Sequence, residues 1–205
     1  MHALIVLAHP DAQSLTHALS RQIADGLAQA GHTSEIADLA AEGFDPRFEL
    51  PDLNVHRHLA KPPADVLAEQ VRIERADTLV LVYPVYWWSF PALLKGWIDR
   101  VFSNGWAFSY EDGKTTKLLN HLKVHLVAVG GADAALFDRH GYGAAMRVQI
   151  EHGIFDWCGA QVSSSILLDE SEGPDTARHL PTAYTLGQRL FAPQASSSGH
   201  SASGQ

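Results

Sequence analysis

The chain predicts an α/β fold in which a doubly wound, five-stranded parallel sheet carries helices on both faces. Two observations carry this. Short apolar runs rich in β-branched residues alternate with segments of helical period, and the alternation repeats five times along 205 residues. Parallel strands need crossovers, and right-handed crossovers place helices over both faces of a sheet. A hydrophobic content of 46% with 19% charged residues supplies the core that such a sheet requires.

Ala3–Ala8 (ALIVLA) reads as a fully buried first strand. From Leu15 the period changes: Leu15, Ala18, Leu19, Ile23, Leu27 and Ala30 share one helical face, and Gly31 ends the helix. Thr33–Asp38 is the second strand. Ala41–Pro63 has two Pro-rich patches and little periodicity, and is expected to run as a long surface excursion. Asp65–Arg75 is helical and Thr78–Val82 is the third strand. Tyr83–Pro91 is an aromatic loop, after which Pro91 opens a helix with Leu93, Leu94, Trp97, Ile98, Val101 and Phe102 facing inward. Lys123–Val129 is the fourth strand, ended by Gly130 and Gly131. A helix follows with Ala145, Met146, Gln149, Ile150, Ile154 and Trp157 on one side. Gln161–Leu168 is the fifth strand, and the last helix lies within Gly173–Phe191. The natural order for five such strands is the flavodoxin-like 2-1-3-4-5. The domain is expected to span 1–192, with a disordered Ser/Gly-rich tail at 193–205.

A formal charge of −8 with 15 scattered basic residues argues against nucleic acid as a partner. No stretch approaches the ~20 apolar residues of a membrane helix. The apolar start ends at His9–Pro10 without a cleavage region, and the lone Cys158 can form no internal disulfide. A cytoplasmic protein is expected, with no membrane insertion. No spacing of His, Cys, Asp or Glu suggests a metal site.

Ligands of a doubly wound sheet bind beyond the carboxyl ends of its strands, and three loops there carry the informative residues. In the first, His9-Pro-Asp-Ala-Gln-Ser-Leu-Thr16, a helix N-terminus attracts an anion. His9, Ser14 and Thr16 add donors suited to a phosphate, and Ser14 serves equally as a plain helix cap. In the second, Tyr83-Pro-Val-Tyr-Trp-Trp-Ser-Phe-Pro91, backbone groups can bond the edge of a heteroaromatic ring such as isoalloxazine. Trp87 and Trp88 there would cover its faces, a dimer interface or core edge, or both at once. In the third, Gly130 and Gly131 permit close approach to a flat ligand, and Phe137, His140 and Tyr142 could line a second face.

The runs ALIVLAHP with Ser14, YPVYWWSFPALLKGWIDRVF (83–102), GWAFSY (105–110), VGG (129–131) and GIFDWCG (153–159) resemble the flavodoxin-like NAD(P)H:quinone oxidoreductases. That family includes DT-diaphorase and the potassium-efflux ancillary reductases. The resemblance implies a flavin whose phosphates meet His9, Ser14, Leu15 and Thr16. It sets Pro84, Val85, Tyr86, Trp87 and Trp88 along the ring, with Val129, Gly130 and Gly131 opposite. Phe137 takes a position where family members carry a Tyr, leaving Tyr142 and His140 as candidates to assist hydride transfer. Arg178 resembles an Arg of FAD-using members, which favours FAD over FMN, although Pro181 is expected to break or kink the helix there. NADH or NADPH is the implied reductant, a quinone or similar aromatic compound the acceptor, and a homodimer the assembly. A regulatory subunit of a membrane transporter and an electron-transfer flavodoxin are the rival functions.

Overall fold

The opening apolar run forms β1 (His2–Leu7), buried from Ala3 onward. After it come α1 (Leu15–Gln29), β2 (Thr33–Asp38), α2 (Leu50–His56), α3 (Ala64–Glu74), β3 (Thr78–Pro84) and α4 (Ala92–Val101). A hairpin of β4 (Phe108–Glu111) and β5 (Lys114–Lys117) precedes β6 (Lys123–Val129), α5 (Ala134–His140) and α6 (Tyr142–Met146). The last helix runs on as a π-helical stretch, Arg147–Asp156, before β7 (Gln161–Leu168), a 3-10 turn (Thr176–His179) and α7 (Leu180–Arg189). This computed structural model describes residues 1–171, 173 and 175–192, so the expected tail at 193–205 lies outside the described residues. Among the described residues no helix is long and apolar enough to cross a membrane.

The sheet order is β2-β1-β3-β6-β7 with every pair parallel, which is the expected flavodoxin-like order once the separate hairpin is set aside. Both faces are covered. Ile5, Leu7, Val80, Val82 and Val127 pack under Leu19, Ile23 and Leu27 of α1 and Ala183 of α7. On the other face, Leu4, Val6, Leu79, Leu81 and Leu126 meet Leu94, Trp97 and Val101 of α4 and Ile150 and Phe155 of the π stretch. Alternate residues of each strand thus serve opposite layers, the period-2 rule that makes central strands continuously apolar.

Four expectations change. The 41–63 excursion contains α2, stitched down from a distance: the Asp52 carboxylate accepts from the Glu49 N–H at 2.9 Å and from buried Arg100 at 3.0 Å. The 130–142 segment is not a loop throughout, because Asp133 caps α5 through the Leu136 N–H at 2.7 Å. The inward face after Tyr142 is Met146, Ile150 and Phe155, while Ala145, Gln149 and Trp157 are exposed. Wider π turns advance the buried position by about 4.4 residues, which swaps Phe155 in for Trp157. Pro181 does not break a helix; α7 begins at Leu180, where a first-turn proline loses no hydrogen bond. The hairpin was not anticipated, although Asp112 and Gly113 both take positive φ (50° and 75°) in the two-residue turn that joins its strands.

Two positions generate tests. α1 and α7 touch through Gly26 and Gly187, where an added Cβ would overlap the Tyr184 and Ile23 carbonyls respectively. Gly26→Ala should therefore cost about 1–3 kcal/mol in urea unfolding despite alanine's better helix propensity; an unchanged midpoint would show that the helices can slide apart freely. His125 is buried at a strand irregularity, its Nδ1 2.7 Å from the Ser164 hydroxyl and its Nε2 without a partner among the described residues. Burial, helped by Lys123, lowers its pKa from 6.5 to about 4. The folded chain then binds fewer protons than the unfolded one between those values, so this contribution is whole above pH 6.5 and lost as pH falls toward 4. From pH 7 to 4.5 the native protein should lose roughly 2 kcal/mol more stability than His125→Gln; parallel losses would remove His125 as an acid trigger.

Candidate functional site

The carboxyl ends of β1, β3 and β6 open onto one cleft of about 180 Å3. From the β1–α1 loop it receives His9, Leu15 and Thr16, from β3 and the following turn Pro84, Val85 and Tyr86, and from β6 Val129 and Gly131. A second cleft of about 170 Å3 adjoins it, sharing Val85 and Gly131 and adding Trp87, Trp88, Ala132 and Phe137. Eleven of the residues proposed from sequence thus line two continuous clefts.

The remaining ones fall nearby or apart. Gly130 lies behind the wall, where a Cβ would crowd Leu167 and Phe137. Ser14 is the N-cap of α1, accepting the His17 N–H at 3.4 Å, so the capping role is present. Tyr142 stacks on Trp88 with ring centroids 3.7 Å apart and an angle of 11°, and His140 stacks on Tyr142 at 5.3 Å as an outer layer. They sit at the α5–α6 junction, where Gly141 adopts φ +71°, rather than on a free loop. Arg178 is held by Glu170 at 2.7 Å, beside the segment that delivers Ser171. Ser171 itself was missed: its N–H bonds the Gly130 carbonyl at 3.0 Å, which carries the loop after β7 into the first cleft.

The β3–α4 turn has unusual geometry. Tyr86 and Ser89 exchange backbone hydrogen bonds at 3.2 and 3.1 Å, leaving Trp87 and Trp88 with φ +50° and +59°. Two bulky residues in the left-handed region cost about 1–3 kcal/mol each. The hydroxyl of Ser89 donates to Gln149 at 2.6 Å and braces the turn against the π stretch.

Polar groups in the first cleft fit a phosphorylated ligand. Thr16 is 1% exposed and lines the cleft, and its hydroxyl has no partner among the described residues. The N–H groups of Leu15 and Thr16 open a 15-residue helix whose first turn holds no acidic side chain. Such a helix end offers donors and a favourable dipole to an anion. Beside them, Val85, Tyr86 and Gly131 line the rest of the cleft, where a flat ring could lie. A larger cavity of about 380 Å3 lies between β6, β7 and α5, floored by Tyr83, Leu126 and Ile150, and Phe137 separates it from the second cleft. Burial pushes the Tyr83 hydroxyl well above the usual phenol range, so it stays protonated.

Comparison with known proteins agrees with this fold. A family model described as a flavodoxin-like fold, Flavodoxin_2, matches residues 1–185. A ribosyldihydronicotinamide dehydrogenase [quinone] of Pongo abelii is 30% identical over 178 residues, covering 78% of this chain and 77% of that protein. Among solved structures, an NAD(P)H:quinone oxidoreductase from Methanothermobacter marburgensis superposes with a TM-score of 0.85 at 28% identity, covering 93% of this chain and 98% of that one. The general stress protein 14 of Treponema denticola, in complex with FMN, gives 0.61 at 25% identity over 94% and 97%.

Proposed function

We propose that this chain, which belongs to the Flavodoxin_2 family of flavodoxin-like folds, is a flavin-dependent NAD(P)H oxidoreductase that reduces quinones or similar aromatic acceptors. The observation that carries the reading is the convergence of the three strand-end loops on one cleft, with Thr16 and the N-terminus of α1 at one end and Val85, Tyr86 and Gly131 at the other. The names of the similar quinone reductases support the substrate class.

A bound flavin would supply two-electron redox chemistry between NADH or NADPH and the acceptor. The chain's residues bind and orient. Thr16 and the α1 N-terminus hold the phosphate, His9 closes that end, and Pro84–Tyr86 and Val129–Gly131 clamp the ring. Trp87, Trp88 and Phe137 wall the adjoining cleft, which keeps water from the acceptor. Tyr142 can offer a hydroxyl to charge developing beside that wall, a role Phe137 cannot fill. His140 sits one layer further out, which favours Tyr142. FMN is supported by the solved Treponema relative. FAD is supported by Arg178, which has to loosen from Glu170 before gripping a second phosphate. A cytoplasmic setting fits the buried lone thiol of Cys158, which burial pushes up to about 11.

A homodimer belongs to the same reading. Trp87, on the wall of the second cleft, is 93% exposed, apolar area that a second copy would cover.

The purified protein should be yellow with about one flavin per chain, and failure to take up either FMN or FAD on titration would sink the proposal. Tyr142→Phe should slow flavin reduction by NAD(P)H roughly 10- to 100-fold in stopped flow with flavin affinity nearly intact, and His140→Ala should do less; wild-type rates in both would leave this wall a purely steric role. Sedimentation at micromolar concentration should give twice the 22.3 kDa chain mass, against which a monomer at all concentrations would count decisively.

A further inference from the structure

Beneath the N-terminus of α1 runs a chain of three polar groups that the proposed function leaves unused. The Ser14 hydroxyl oxygen lies 2.8 Å from Nδ1 of His17, and Nε2 of His17 lies 2.8 Å from Oδ2 of Asp38. His17 is 7% exposed, so these contacts are its surroundings rather than one option among many in solvent. Burial works against charge on Asp38. Hydrogen bonds from His17 and from the Ala41 and Ala40 N–H groups outweigh it and hold the carboxyl below the usual range.

With His17 neutral, hydrogen-bond complementarity then fixes every proton. An ionised Asp38 can only accept, so Nε2 of His17 carries hydrogen. In a neutral imidazole Nδ1 is then a bare lone pair, and the 2.8 Å contact requires Ser14 to donate its O–H to it. The Ser14 oxygen already accepts the His17 N–H at 3.4 Å. In that state Ser14 has no proton for an anion and offers only lone pairs. A second proton on the ring reverses the contact: Nδ1–H donates to Ser14, and the serine O–H is released.

We infer that Asp38 and His17 set the direction of the Ser14 hydroxyl, and that a phosphate arriving at the N-terminus of α1 draws a proton from solvent onto Nδ1 of His17 as it binds. The inference rests on the proposed function only in taking a flavin phosphate as that anion. Thr16 marks the anion's place independently, as a side chain 1% exposed in the cleft wall whose hydroxyl meets no partner among the described residues. The ionisable groups facing His17 are Asp38 from the end of β2 and His9, whose ring lies edge-on at 6.3 Å from the β1–α1 loop. His9 uses its Nδ1 to accept the Asp11 N–H at 3.0 Å, and the first turn of α1 adds no acid. His17 is a positioning residue; its proton is shared with Ser14 and never reaches the reacting ring.

Calorimetric titration of flavin-free protein with FMN at pH 8, in buffers of different ionisation enthalpy, reads protons exchanged on binding. The wild type should take up a measurable fraction of one proton, and its Kd should weaken by up to about tenfold per pH unit toward alkaline pH. Asp38→Asn is the discriminating variant. Its amide oxygen can still accept from Ala40 and Ala41, while its N–H2 faces Nε2 and forces the hydrogen to Nδ1. It should bind FMN with a flat pH profile and without the extra proton; protonation of the phosphate itself is common to both proteins and cancels. Nitrogen-15 spectra of the free wild type should show His17 protonated at Nε2. A Nδ1–H tautomer there, or equal proton uptake in wild type and Asp38→Asn, overturns the relay. If FMN does not bind, the flavin reading fails alone. Inorganic phosphate titrated under the same nitrogen readout then decides the relay: second protonation of His17 supports it, and an unchanged ring rejects it.

Discussion

β1 and β3 lie side by side and run the same way, yet the chain leaves their carboxyl ends toward opposite faces: α1 joins α7 on one side of the sheet, and α4 joins α3 and the π stretch on the other. Two backbones diverging from adjacent strand ends cannot fill the space between them, so a gap is unavoidable at that point. β6, on the far side of β3, adds its own end to the same rim. The clustering of His9, Thr16, Val85 and Gly131 around one cleft therefore follows from strand order, and side-chain chemistry only has to decorate a gap that the topology already opens.

The decoration is not free of strain, and the strain is unevenly compensated. Trp88 recovers part of its left-handed backbone cost by stacking on Tyr142, a contact of about 0.5–1.5 kcal/mol beyond area burial. Trp87 recovers almost nothing within the chain, since it is 93% exposed while paying the same conformational penalty at φ +50°. A turn of Asn and Gly would join β3 to α4 at lower cost. Two tryptophans persist there, with the turn held by Ser89 and Gln149, which fits a surface whose contacts are completed from outside the chain.

Local pattern was enough for the sheet. The strands at 33–38, 123–129 and 161–168 were legible to the residue, because β-branched runs bounded by turns leave little choice. What escaped depends on distant partners or on a changed helical period. α2 is anchored by Asp52 meeting Arg100, 48 positions away, and no window around Leu50 contains that arginine. Phe155 displaces Trp157 from the core only because the helix widens its turns at Arg147, which a 3.6-residue template cannot foresee. In the site, eleven of the residues read from the three loops line the two clefts while Ser14, Gly130, His140 and Tyr142 do not, and Ser171 needed the loop after β7 to fold back onto Gly130. His17 is one helical turn from Ser14 and so could have been paired with it. Its other partner, Asp38, arrives only through the β1–β2 register that sets Leu7 opposite Asp38. The Asp112-Gly113 turn was a local signal that went unread.

Charge explains why such a relay would matter. The chain carries −8, and the residues lining the first cleft include no lysine or arginine. An anion held there meets peptide dipoles, a hydroxyl and a histidine, in a protein whose overall field repels it. Asp38, tied to His17 directly behind the helix end, adds a local negative charge of the wrong sign. A neutral His17 would transmit that charge to Ser14 as an inward-pointing hydroxyl, so both the field and the hydrogen-bond pattern would oppose the ligand. Doubly protonated, the same ring cancels the carboxylate and turns the hydroxyl outward. One buried proton therefore corrects both defects, without a permanent cation whose attraction would extend to other anions and fade with salt. The acid behind the helix, unfavourable by itself, would be the counter-charge of the doubly protonated ring.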